Sequence, residues 1–245
     1  NIDRVSRIQV AILKPTPHSL TIPQKETVAV VVEVSGGDVD EVTLEVLSED
    51  REVERHTMSG RDSHQFAANV NVGTESVQYR VLAGDAVTRR YTIRSRARPT
   101  VEMFHKTYRY PEYAGLEDLT VSEAHGDLVL LAGSEAELSL ELDQPVTTAN
   151  ILLERSGSEE VETILLEEGS DGRFHTTLSV SDPAIYKVRL VAEETGFENT
   201  FSPRFEIRPQ PDLIPRTGFV DQQETTLLLP PNDILPLTAM AEDDL

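Results

Sequence analysis

The chain has 245 residues, with 22 Lys and Arg against 43 Asp and Glu, a formal net charge of −21. That excess of carboxylates excludes a generally basic nucleic-acid binder, because the field of the chain repels a phosphate backbone. Zero Cys excludes a disulfide-stapled miniprotein, thiolate zinc sites, iron–sulfur clusters and cysteine nucleophiles, and leaves the redox compartment open.

The length predicts two domains, each large enough to bury its own core. No apolar run reaches about 18 residues, so no membrane span and no direct membrane insertion is predicted. Residues 1–7 lack a basic-then-apolar signal pattern, and a chain that opens on Asn1 reads as a segment of a longer protein.

The first clear element is Val28, Val30, Val32 and Val34 alternating with Ala29, Val31, Glu33 and Ser35, the two-residue period of a strand. A turn at Gly36, Gly37 and Asp38 leads to a second alternating run, Val42, Leu44 and Val46, so two facing strands with one apolar side each are predicted. Leu138, Leu140 and Leu142, the turn at Asp143, Gln144 and Pro145, and then Ile151 and Leu153 read the same way. Helical spacing is weak throughout; Leu116 to Glu123 is short and uncapped, and reads as a loop or a single turn. Short strands between turn signals predict an all-β sandwich of two antiparallel sheets.

The segments also superpose on one another. Ser59 to Phe66 followed by Asn69 to Val72 matches Glu168 to Phe174 followed by Leu178 to Val180, and each copy then reaches Tyr79-Arg80-Val81 or Tyr186-Lys187-Val188. Both copies close on a strand that runs into proline, at Arg98-Pro99 and Arg208-Pro209. A third copy begins near Glu224, with Leu227 to Pro231 ahead of Leu237 to Ala241. Val34, Leu142 and Ala241 are equivalent positions, separated by 108 and 99 residues. A period near 100 is that of an immunoglobulin-sized sandwich. The expected domains are residues 1–98, residues 99–210, and residues 211–245 as a linker with the truncated first strands of a third repeat.

Asp182-Pro183-Ala184-Ile185-Tyr186 resembles the D-x-A-x-Y corner of immunoglobulin-like domains, in which a Tyr hydroxyl ties the turn back to the backbone. The resemblance implies a second disulfide Cys two residues after the Tyr; here Val81 and Val188 stand there, and the customary Trp is missing too. The chain is therefore similar to bacterial immunoglobulin-like or fibronectin-like tandem repeats. Tyr110 to Gly115, together with Leu237 to Leu245, further resembles the repeat region of long membrane-anchored bacterial proteins of unknown function. That resemblance implies an extracytoplasmic stalk, anchored to a membrane in the full-length protein, and supplies no catalytic residues.

Charge is uneven: Arg80 to Arg109 holds eight basic residues against two acidic ones, whereas Tyr110 to Asp171 holds sixteen acidic residues against Arg155 alone. Arg90, Arg94, Arg96 and Arg98 fall on alternate positions, which on a strand aligns four guanidiniums on one face, about 6.6–6.8 Å apart where consecutive. Such a stripe either binds an anionic glycan or acidic protein through forked donors, or is a solvated face that protects an edge strand or complements the acidic second domain. Tyr108, Tyr110 and Tyr113 either form a stacking platform for sugars or pack a hinge between sandwiches. Asp38, Asp40 and Glu41, with Glu242, Asp243 and Asp244, are oxygen-rich turns that either ligate calcium or are solvated acids. Their spacing lacks the calcium-loop pattern, the six His are dispersed, and no nucleophile elbow, phosphate loop or dinucleotide fingerprint occurs, so no catalytic residue, metal site or cofactor is assigned. The expectation is a non-enzymatic spacer and protein-interaction scaffold. Its partners would be neighbouring repeats and an envelope protein or anionic glycan, with no nucleic acid.

Overall fold

The computed structural model describes residues 7–48, 53–61, 64–158, 160–214, 216–220 and 238–242. The chain divides into two compact units, Asn1–Pro99 with Val191–Asn199, and Thr100–Leu190 with Thr200–Leu245. Apart from one 3-10 turn at Glu112–Ala114, the described residues contain no helix.

The first unit is built from β1 (Gln9–Lys14), β2 (Leu20–Pro23), β3 (Thr27–Ser35), β4 (Val42–Ser48), β5 (Glu54–Thr57), β6 (Ser59–Gly60), β7 (Gln65–Asn71), β8 (Val77–Ala83), β9 (Ala86–Val87) and β10 (Tyr91–Arg96). One sheet runs β1-β3-β7-β6 and the other β2-β10-β8-β4-β5, with β9 on β8. Val28, Val30, Val32 and Val34 turn inward from β3 because a strand alternates its side chains. They pack with Val42, Leu44 and Val46 of β4, Tyr79 and Val81 of β8, and Ile93 of β10. The two alternating runs read from the sequence are thus in different sheets, facing across the core.

The second unit repeats the plan with β11 (Val101–Arg109), β12 (Leu119–Glu123), β13 (Leu128–Leu131), β14 (Ser134–Leu142), β15 (Val146–Arg155), β16 (Val161–Leu165), β17 (Glu167–Glu168), β18 (Phe174–Val180), β19 (Ala184–Ala192) and β20 (Phe205–Gln210). Its sheets run β12-β11-β14-β18-β17 and β13-β20-β19-β15-β16. Phe104, Leu138, Leu140, Ile151, Leu153, Leu178, Tyr186, Val188 and Ile207 form its core, with Phe104 edge-on to Phe205 at 4.9 Å between ring centroids. Val81 and Val188 are fully buried, so the positions where the resemblance implies a Cys are filled by apolar packing. Both units are all-β, immunoglobulin-like sandwiches. The reading of Leu116 to Glu123 as a loop or turn is corrected. Leu119–Glu123 is an edge strand, held by antiparallel pairing along β11 from Phe104 to Tyr108, a partner that local periodicity does not reveal.

Each unit closes with a parallel pair. In the first, β2 runs beside β10 with Leu20 opposite Ile93 and Pro23 opposite Arg96. In the second, β13 runs beside β20 with Leu128 opposite Ile207 and Leu131 opposite Gln210. Beyond β20, β21 (Arg216–Phe219) pairs with β22 (Ala239–Glu242) in a fully exposed two-stranded sheet. Leu227 to Pro231 lie outside the described residues. Val34 pairs with Val10, Leu142 with Val101 and Ala241 with Thr217, so each of the three positions aligned in the sequence sits opposite an earlier antiparallel strand.

Candidate interaction face

The register of the β2-β10-β8-β4-β5 sheet places the Arg stripe. In β10, Ile93 and Ser95 point into the sandwich, and Arg94 and Arg96 stand exposed on the outer face. Arg90 precedes the strand and is exposed; Arg98 follows it, half-buried, with Nη2 donating to Glu26 Oε1 at 2.5 Å. Only Arg94 and Arg96 of the four therefore share a strand face. The strand is not an edge, because β2 and β8 flank it on either side. Protection of an edge is thus not what places these side chains. Among the described residues no carboxylate pairs with Arg90, Arg94 or Arg96; Arg96 Nη1 reaches the carbonyl of its neighbour Ser95 at 3.3 Å.

Sequence reasoning missed the feature that organises this face. Glu45 of β4 lies opposite Arg80 of β8 and opposite Arg55 of β5. Its carboxylate accepts from Arg55 Nε at 2.9 Å and Arg80 Nε at 2.5 Å, and its side chain is 1% exposed. The Arg80 hydrogen bond, then that of Arg55, holds the Glu45 carboxyl below the usual carboxylate range. The signal was present in the alternation, since Glu45 lies between the inward Leu44 and Val46, but not the pairing that covers it. The outer face thus carries the guanidiniums of Arg55, Arg80, Arg94 and Arg96, with the Glu45 carboxylate sealed beneath the first two. Beside them lies a shallow depression of about 230 Å³ lined by Leu47, Ser48, Ser76, Gln78 and Thr92. Arg89, which the stripe reading left out, lies 5.0 Å from the centroid of the Tyr91 ring.

The three tyrosines separate. Tyr108 points into the core of the second unit, Tyr110 packs against that core, and Tyr113 is 64% exposed on the 3-10 turn. They do not form one platform. Burial, then the charge of Glu123, pushes the Tyr108 hydroxyl upward.

Tyr108 adjoins a second feature invisible in the sequence. Lys106 occupies an inward position of β11 and is fully buried; its Nζ donates to Glu123 Oε1 at 2.7 Å and to the Asp127 carbonyl at 2.6 Å. Asp127 Oδ1 in turn accepts from the Glu206 amide at 2.8 Å. The ammonium is thus compensated by one carboxylate and one carbonyl.

On the outer face of β14, Ser139 lies opposite His105 of β11 and His175 of β18. His105 Nε2 is 3.1 Å from Glu141 Oε2, and His175 Nε2 is 3.0 Å from Asp171 Oδ1. Each carboxyl is lowered chiefly by its histidine hydrogen bond. The Ser139 hydroxyl is covered and has no partner, so these neighbours do not make an activated nucleophile. Glu41 accepts from the Thr57 hydroxyl at 2.8 Å, and Asp243 and Asp244 lie outside the described residues. Among the described residues, no three His, Asp or Glu side chains are grouped to hold a metal ion, and no helix is long and apolar enough to cross a membrane.

No family model matches the chain, and no curated protein does. Among solved structures it is similar to a marsupial T cell receptor at 12% identity and a TM-score of 0.30, over 80% of this chain and 100% of that one. It is similar to the titin Ig tandem domains A164-A165 at 12% identity and a TM-score of 0.26, over 82% of this chain and 97% of that one. An engineered protein matches at 17% identity and a TM-score of 0.29, over 36% of this chain and 20% of that one. The assignment of two immunoglobulin-like sandwiches follows from the strand order and register of the chain itself.

Proposed function

We propose that the chain is a load-bearing spacer and interaction scaffold, a tandem immunoglobulin-like segment of a larger extracytoplasmic bacterial protein. In the full-length protein it would be anchored to a membrane. The observation that carries this reading is the parallel pair closing each sandwich. Chain enters each unit ahead of β2 or β13 and leaves after β10 or β20. Once β1 or β11, the first strand of each unit, has parted from β3 or β14, a pull on the two ends drags the paired strands in opposite directions along their common axis. The ladder hydrogen bonds, extended by Gln24 N–H to the Arg96 carbonyl and Ala132 N–H to the Gln210 carbonyl, are then loaded together in shear rather than opened one by one. Repetition of the plan, with a third strand pair in the equivalent register, suits a stalk that sets reach.

Single-molecule extension of the chain tests this. Two separate rupture events are expected, each releasing roughly 300 Å of contour for a repeat of about 90 residues. Smooth extension without rupture would remove the load-bearing role.

A second reading is favoured by Arg94 and Arg96, exposed on a common face without carboxylate partners. In this reading the first sandwich binds an acidic envelope protein or an anionic glycan through forked guanidinium contacts.

A further inference from the structure

We infer that the acidic partner of the Arg94 and Arg96 face is the second sandwich of another copy of this chain. The inference rests on the second reading above, that this face binds acidic surfaces. Its argument comes from comparing equivalent positions in the two repeats. Residues 1–99 carry 13 Lys and Arg and 14 Asp and Glu, whereas residues 100–245 carry 9 and 29. Of that second set, residues 100–210 hold 8 and 22, so the second repeat is the more acidic, at −14 against −1 for residues 1–99.

The faces differ in the same sense. In the first unit, Arg94 has no carboxylate partner among the described residues. The equivalent Arg208 of β20 is held by Glu206, with Nε at 2.6 Å from its carboxylate. Glu45 adds no accessible acid to the first face, since Arg55 and Arg80 cover it. On β14 of the second unit, Glu135 and Glu137 replace Thr27 and Ala29 of β3, and Glu167 and Glu168 of β17 replace Ser59 and Gly60 of β6. Glu137, Glu167 and His175 rim a shallow depression there, with Thr177 and Leu165. The corresponding concavity of the first unit is rimmed by His56, Ser59, Arg61 and Asn69 instead. One repeat thus presents guanidiniums with no carboxylate partner among the described residues, and the other presents Glu135, Glu167 and Glu168 beside Glu137, to which Arg109 Nη2 donates at 2.7 Å.

Contact between unlike faces of two copies leaves one face of each free to bind again, so copies either close into a ring, the reciprocal dimer being the smallest, or add in series. Long-range repulsion from a net charge of −21 is least when the near-neutral repeat of one copy meets the acidic repeat of the next. The contact is between exposed charges and is screened by salt.

Sedimentation of the full chain at low ionic strength tests the inference. The weight-average mass should rise above 27.2 kDa with concentration and return to 27.2 kDa at about 0.5 M salt. Arg94→Glu with Arg96→Glu should abolish the rise, and so should Glu135→Lys with Glu167→Lys and Glu168→Lys. All five side chains are exposed, and unchanged thermal unfolding verifies that each variant folds. Mixing the two variants should restore association, because each then offers the charge the other needs. A chain that stays at 27.2 kDa at every concentration overturns the inference, as does association that the variants leave unchanged. Titration with poly-L-glutamate separates the two readings. A monomeric chain that binds it through Arg94 and Arg96 keeps the acid-binding face and loses only self-association. A monomeric chain that ignores it loses both.

Discussion

The hydroxyl of Tyr79 donates a 2.8 Å hydrogen bond to the carbonyl of His18, 61 residues upstream, and the hydroxyl of Tyr186 donates to the carbonyl of Gly126, 60 residues upstream. The same bond therefore recurs in both sandwiches. In each it ties an inner strand, β8 or β19, to the segment entering the parallel strand, β2 or β13. The D-x-A-x-Y resemblance implies a Tyr hydroxyl bonded to the backbone; for Tyr186 that backbone group is the Gly126 carbonyl, just ahead of β13.

Removing one hydroxyl isolates that bond. Tyr79→Phe and Tyr186→Phe should each cost about 1 kcal/mol, the net value of one hydrogen bond, with the ring packing retained. Burial raises both hydroxyls above the ordinary tyrosine value near 10. The neutral form is thus favoured in the folded chain, and the contribution is complete below about pH 10 and lost as pH rises through the raised folded value. Urea denaturation between pH 7 and 11 should show stability falling above about pH 10, and falling less steeply in either Phe variant. An unchanged alkaline slope in both variants would show that other groups govern it.

The Glu45 carboxylate has the opposite sign. Arg80 and Arg55 hold its folded value below the ordinary 4.5, so its contribution is present above about pH 4.5 and lost as pH falls through the depressed value. Glu45→Gln should flatten this acid limb of the stability curve and leave Arg55 and Arg80 crowded around one neutral acceptor oxygen in place of a carboxylate. Arg55→Ala should cost less than Arg80→Ala, because Arg55 is 69% exposed and Arg80 32%. Equal losses in a double-mutant cycle would show that the closer, less exposed pair has no advantage.

What the sequence made legible follows from how local each interaction is. The alternation of Val28 to Val34 and Leu138 to Leu142 is decided by side chains within one strand, and the strands, the facing sheets and the repeat are readable from it. Leu119–Glu123 was not readable, because its strand state depends on β11 rather than on its own weak pattern. Glu45 and Lys106 were hidden for a related reason: each is a charge whose burial is set by partners on other strands, Arg55 and Arg80 for one, Glu123 and Asp127 for the other. The Arg stripe was half legible. Spacing aligned Arg94 with Arg96, but only the strand limits and the Glu26 ion pair show that Arg90 and Arg98 stand apart.

Lys106 predicts an asymmetry between its two partners. Lys106→Met keeps most of the side-chain volume and removes the desolvated charge, leaving Glu123, 43% exposed, to water. Its cost should stay within about 1 kcal/mol. Glu123→Gln leaves the ammonium buried with neutral acceptors alone and should cost about 2 kcal/mol, in the range for a lost bond to a charged group. Chemical denaturation of both variants compares them, and a costlier Lys106→Met would mean that the ammonium contributes net stability.

Gly126 is constrained by space. A methyl group on its Cα would stand 2.6 Å from the Tyr186 hydroxyl and 2.7 Å from the Phe205 ring, closer than either group tolerates without moving. Gly115, by contrast, has nothing within 4 Å of the same position, but its φ of +63° makes a side chain there a backbone problem instead. Gly126→Ala should therefore cost about 1–3 kcal/mol through overpacking, and part of that cost should disappear in the Tyr186→Phe background, where the displaced hydroxyl is gone. Gly115→Ala should show no such coupling to Tyr186. Thermal unfolding of the two single variants and their combinations with Tyr186→Phe reads this directly. Additive losses at Gly126 would place the clash on Phe205 alone, and then the carbonyl of Gly126 would still be free to accept the tyrosine hydroxyl after the substitution.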